Sequence, residues 1–141
     1  MTGDGATGDA AATPGWSGSG IERMLAESRR HLGRVEPEEL DAERAAGALV
    51  VDIRPQAYRD EEGELPGAVV IERNVLEWRL DPTSDHRIPE AADHDTRIIV
   101  VCNEGYASSL AAESLQRLGL HRATDLAGGY RAWRRIDASP R

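Results

Sequence analysis

RIIVVC, residues 97–102, is a short apolar run rich in β-branched residues that stops on the only cysteine of the chain, and NEGYASS, residues 103–109, follows it directly. An apolar run without alternation marks a strand covered on both faces, as in a parallel sheet sandwiched by helices. ALVVDI (48–53) and AVVI (68–71) read the same way, and RATDL (122–126) reads as the last strand. Helical patterns lie around them. In residues 108–118, Leu110, Ala111, Leu115 and Leu118 form one apolar stripe closed by Gly119. Ile21, Met24, Leu25, Ser28 and Leu32 recur at spacings of three and four, which predicts an amphipathic helix stopped by Gly33. Pro37-Glu38-Glu39 opens a shorter helix that Gly47 ends, and residues 130–135 form a final helix entered through Gly128-Gly129. Strands alternating with helices predict an α/β fold with an open, wound parallel sheet.

Length and composition bound the rest. At 141 residues the chain suits one domain with one site. Residues 1–20, almost wholly Gly, Ala, Ser, Thr, Asp and Pro, cannot bury enough apolar surface to offset the entropy of ordering and read as a flexible tail, with Trp16 its one residue able to dock on anything. The domain is expected over residues 21–141. Residues 81–95, with two prolines, read as a long polar surface connection. The balance of 17 basic and 25 acidic residues, a net charge of -8, opposes attraction to nucleic acid or anionic lipid. With no apolar run near the roughly 20 residues that span a bilayer, and no basic-then-apolar start, the protein is expected in the cytoplasm. One cysteine makes no intrachain disulfide, CxxC pair or thiol zinc site, and His31, His86, His94 and His121 are scattered. No metal and no cofactor are expected.

In an open parallel sheet, ligands gather beyond the carboxyl ends of the strands, and Cys102 ends such a strand. Asn103, Glu104, Gly105, Tyr106 and Ala107 are too few for a wandering loop, and Ser108-Ser109 offers capping hydroxyls to the next helix. Strand, glycine-containing turn and helix start form a cradle whose backbone N–H groups favour a thiolate or a bound anion. A thiolate there suits covalent sulfur or phosphate chemistry. The residue types fit equally a small buried hydrophobe at a strand end.

Four pieces in order carry a family resemblance: Val51-Asp52-Ile53-Arg54, Gly63-Glu64-Leu65-Pro66-Gly67-Ala68, Val100-Val101-Cys102-Asn103-Glu104-Gly105 with Ser108, and Leu126-Ala127-Gly128-Gly129-Tyr130-Arg131-Ala132-Trp133. From about Arg34 to Ile136 the chain resembles a single rhodanese-like (sulfurtransferase) domain. The resemblance implies about five parallel strands flanked by helices on both faces. It makes Cys102 the nucleophile that holds sulfane sulfur as a persulfide and hands it to a thiol, and it makes residues 103–108 the anion-cradling loop. It sets Asp52 and Arg54 at the end of a neighbouring strand, where they brace that loop or simply close the strand as an ion pair. The partners it implies are a small sulfur donor and a thiol acceptor, of low molecular weight or on a protein.

The sequence departs from members active on thiosulfate, which usually carry basic residues where Asn103 and Ala107 stand. Glu104 adds a negative charge, which works against a thiolate and a dianionic donor, so thiosulfate is not the expected substrate. Arg73, just past residues 68–71, would project at the same sheet edge and is a candidate for anion binding, unless it pairs with Glu72 or Glu77. Arg79 would reach the pocket or cover Trp78. Tyr106 would line the pocket or cover the helix start, and Trp133 is expected in the core. Two other functions share the features: a non-catalytic binding or sensing module, favoured by the arginine-free loop, and phosphatase or arsenate reductase chemistry, which wants an arginine that residues 102–109 lack.

Overall fold

Four strands, β1 (Leu49–Asp52), β2 (Val69–Val70), β3 (Ile98–Val101) and β4 (Ala123–Asp125), pair in parallel in the order β2-β1-β3-β4. The structure, a computed structural model, describes residues 18–137; residues 1–17, with Trp16 and most of the expected tail, lie outside the described residues, as do residues 138–141. The central pair runs Leu49 opposite Ile98 to Asp52 opposite Val101, so Asp52 and Cys102 emerge at the same sheet edge. A fifth strand is reduced to one rung, Val35 beside Leu126. There the Val35 N–H donates to Asp125 O at 3.0 Å and its carbonyl accepts from Ala127 at 2.8 Å. Pro37, which has no N–H, then turns the chain into a 3₁₀ turn (Pro37–Glu39) and prevents further pairing.

Among the described residues six helices cover the sheet: α1 (Gly20–Arg29), α2 (Leu40–Ala45), α3 (Gln56–Glu62), α4 (Leu76–Leu80), α5 (Ala107–Arg117) and α6 (Gly129–Asp137). α1 starts ahead of Ile21 because Ser19 and Glu22 form a capping box, the Ser19 hydroxyl accepting from the Glu22 N–H at 3.2 Å and the Glu22 carboxylate accepting from the Ser19 N–H at 2.7 Å. Of its apolar stripe, Leu25, Ser28 and the following Leu32 are buried, whereas Ile21 and Met24 stay half exposed. α3 escapes periodicity because none of its residues is buried.

Strand alternation divides the core in two. Val51, Ile98, Val100 and Cys102 face one way and pack with Leu76, Leu80, Ala111 and Leu115 of α4 and α5. Val50, Ile99 and Val101 face the other way, toward Leu40, Leu126 and Tyr130, with Trp133 packed against them as expected. The 81–95 connection is not wholly superficial, since Ile88 and Ala91 enter the first cluster.

Candidate active site

β3 delivers Cys102 to the carboxyl edge of the sheet with its side chain on the α5 face, 8% exposed. The chain then turns sharply at Gly105, whose φ is +87° and where an added Cβ would stand 2.7 Å from the Gly128 nitrogen. That turn aims two amides at the sulfur: the Gly105 N–H donates to Sγ at 3.2 Å and the Ser108 N–H at 3.3 Å. Ser108 lies in the first turn of α5, so the positive end of the helix adds to the field at Sγ. The cradle expected from the sequence is therefore present, built by Gly105 and Ser108.

The loop is gripped from three sides. Below it, Asp125 at the end of β4 is fully buried; one carboxylate oxygen accepts from the Ser108 hydroxyl at 2.7 Å and the Ser109 hydroxyl at 2.8 Å, and the other from Arg34 Nε at 2.9 Å. The two serines thus serve the buried carboxylate instead of capping α5, since a charged acceptor makes the stronger bond. On the outer side, Arg29 and Arg34 both donate to the Gly105 carbonyl, at 2.9 and 2.8 Å. Behind it, the Tyr130 and Arg131 amides at the start of α6 donate to the carbonyls of Cys102 and Asn103, at 2.8 and 3.0 Å. Arg29, Arg34 and Asp125 were invisible as site residues in the sequence. The one available signal was an acid in an otherwise apolar strand end, which must find partners once buried.

Asp52 and Arg54 form a buried bidentate pair, Nη2 to Oδ2 at 2.8 Å. Arg54 also donates to the Gly63 carbonyl at 2.9 Å and stacks 3.9 Å from the Tyr130 ring centroid. The hydrogen bonds of this pair thus brace the Gly63 turn, not the cysteine loop. Arg54 still lines the cleft over Cys102, and its Nη1 is buried without a hydrogen-bond partner.

That cleft encloses about 420 Å³ and brings together Cys102, Asn103, Glu104, Tyr106 and Ala107 of the loop with Arg54, Arg73 and Arg131. Tyr58 and Tyr106, both exposed, add aromatic surface to it. Arg73 lines the cleft and pairs with Glu77 at 3.0 Å, the ion pair expected as the alternative to anion binding. Arg79 donates to the His86 carbonyl and does not line the cleft. Glu104 neither blocks the cradle nor stands alone, for Arg131 Nη1 donates to it at 2.9 Å.

Arg131 is in turn held by Glu62 of α3, whose two oxygens accept from Nε and Nη2 at 3.0 Å each, while Asn103 Nδ2 donates to the same carboxylate at 3.1 Å. These donors, Arg131 first and Asn103 second, lower the Glu62 carboxyl from 4.5 to about 2. A carboxylate depressed in this way stabilises the fold fully above pH 4.5, and that contribution is lost as the pH falls toward 2. Glu62→Gln is therefore expected to flatten part of the acid limb of the urea midpoint measured from pH 7 to pH 2; an unchanged limb would show that the contact stabilises nothing.

The profile of the family described as Rhodanese-like domain matches residues 36–136. Among curated proteins, the thiosulfate sulfurtransferase GlpE of Pseudomonas entomophila is 38% identical over 102 residues, covering 72% of this chain and 84% of the relative. The protein of the same name from Stutzerimonas stutzeri is 35% identical over 105 residues with the same coverages. Among solved structures, a protein of unknown function from Rhodopseudomonas palustris, described as a possible tyrosine phosphatase, is 28% identical with a TM-score of 0.75, covering 92% of this chain and 100% of the other.

Proposed function

Because the chain belongs to the rhodanese-like domain family, we propose that it is a sulfurtransferase in which Cys102 carries sulfane sulfur as a persulfide. The observation that carries this reading is the pair of backbone N–H groups directed at Sγ inside a cleft open to small molecules. The Cys102 thiolate attacks the outer sulfur of a donor, the donor's S–S bond breaks, and the leaving group departs with its electron pair. An acceptor thiolate then attacks the outer sulfur of the persulfide and releases Cys102 as a thiolate. No external oxidant or reductant is consumed. The amides of Gly105 and Ser108 donate to Sγ, the atom on which negative charge develops as the acceptor thiolate takes the outer sulfur.

Arg54 and Arg73, which both line the cleft, are the supporting, anion-binding groups of this proposal. Thiosulfate stays among the donors to test, because the Glu104 charge that argues against it is paired with Arg131. No helix among the described residues is long and apolar enough to cross a membrane, and a reactive thiol without a partner suits the reducing cytoplasm.

Incubation with thiosulfate, an organic persulfide or inorganic polysulfide, followed by intact mass measurement, is expected to add one sulfur to the protein and to lose it on addition of a thiol. Cys102→Ser is expected to take up none. No gain from any of the three donors would overturn the proposal.

A further inference from the structure

Arg131 is anchored and yet has one end to spare. Its Nε and Nη2 are fixed by both oxygens of Glu62, so the guanidinium plane does not depend on any other partner. Its Nη1 binds only Glu104, whose side chain is 56% exposed and lies on a loop wall of the same cleft as Cys102. A half-exposed pair of this kind contributes little, because water and salt screen it. An incoming anion can therefore take the place of the Glu104 carboxylate without disturbing the arginine that would bind it.

We propose that Glu104 and Arg131 form a specificity switch, in which the Glu104 carboxylate occupies the anion position of the cleft until a reagent carrying its own negative group displaces it onto Arg131 Nη1. This rests on the sulfurtransferase reading only for its biological meaning: the substrates so selected are sulfur donors with an anionic group close to the transferable sulfur. Glu104 then acts as an internal competitor that raises the concentration such a donor needs, and Arg131 acts as the specificity-determining cation. The arginine-free loop of residues 103–107 is thereby supplied with its positive charge from α6.

Alkylation of Cys102 tests the switch without requiring turnover. Iodoacetate brings a carboxylate to the thiolate and iodoacetamide is its neutral isostere, so the ratio of their rates reads the charge beside Sγ while cancelling changes in thiol reactivity or access. Glu104→Gln is expected to raise the iodoacetate-to-iodoacetamide ratio about five- to tenfold, and Arg131→Gln to lower it by a similar factor, as expected for removing one charge from the cleft that holds the reacting sulfur. Both effects should shrink as salt is raised from 0.01 to 1 M, over which the screening length falls from about 30 to 3 Å. A ratio unchanged in both variants overturns the switch. A shifted ratio in a protein that takes up no sulfur upholds the switch and removes the sulfurtransferase reading alone.

Discussion

Gly129→Ala is expected to cost roughly 2–6 kcal/mol of stability and to stop sulfur loading at Cys102. Gly129 has φ of +66°, and a Cβ added there would meet the Cys102 carbonyl oxygen at 2.5 Å and the Gly105 nitrogen at 2.7 Å. The left-handed backbone costs an alanine about 1–3 kcal/mol. Overpacking against backbone adds about 1–3 kcal/mol more, since a peptide group cannot rotate aside as a side-chain tip can. The clash falls on the peptides that carry the sulfur cradle, so any relaxation that admits the methyl group moves the Gly105 N–H away from Sγ. Gly33→Ala is the control: φ there is +54° with nothing within 4 Å of the added Cβ, so it meets the backbone cost alone. Urea unfolding of both variants, with intact mass after donor treatment, separates the two contributions. Equal losses in Gly33→Ala and Gly129→Ala, with loading retained, would show that the close approach to the loop carries no weight.

The sheet was legible because the residues that make it have few alternatives. Residues 98–101 are wholly apolar and residues 48–53 are apolar but for Asp52; both runs are short and rich in β-branched residues, as strands covered by helices on both faces are. The exposed helix α3 was not legible, because a helix with no buried residue leaves no periodic trace, and it is α3 that supplies Glu62. The reading of the site followed the same division. Cys102 and its turn are contiguous in sequence, so a strand, a glycine and a helix start were enough to foresee the cradle. The groups that hold the loop come from residues 29, 34, 62, 125 and 131, and nothing local marks their convergence. Glu104 shows the cost of local reading most clearly: alone it argues against an anionic donor, and beside Arg131 it becomes the removable half of an anion site. The resemblance implied about five strands without placing the fifth in the sequence, and at Val35 it is a single rung, for Pro37 interrupts it two residues later.

Asp125→Ala is expected to destabilise the protein by about 3 kcal/mol, toward the lower end of the range for breaking a buried ion pair because Arg34 keeps some contact with solvent. The substitution strands the fully buried Ser108 hydroxyl, takes from the Ser109 hydroxyl its shorter acceptor, and frees Arg34 from the carboxylate that aims it at the Gly105 carbonyl. Stability and function should separate in the double variant Arg34→Met/Asp125→Leu. Replacing both members of a buried pair by apolar residues of similar volume removes the uncompensated charge and is often close to neutral, so the unfolding free energy should recover by at least half. Sulfur loading should not recover with it, because the Gly105 carbonyl loses one of the two guanidinium groups that orient it. The prediction is read from urea unfolding alongside the rate of mass gain at a fixed donor concentration. Recovery of both together would mean that Asp125 matters only as a filler of the core beneath α5, and recovery of stability alone identifies it, with Arg34, as a positioning residue for the cradle that holds the sulfur.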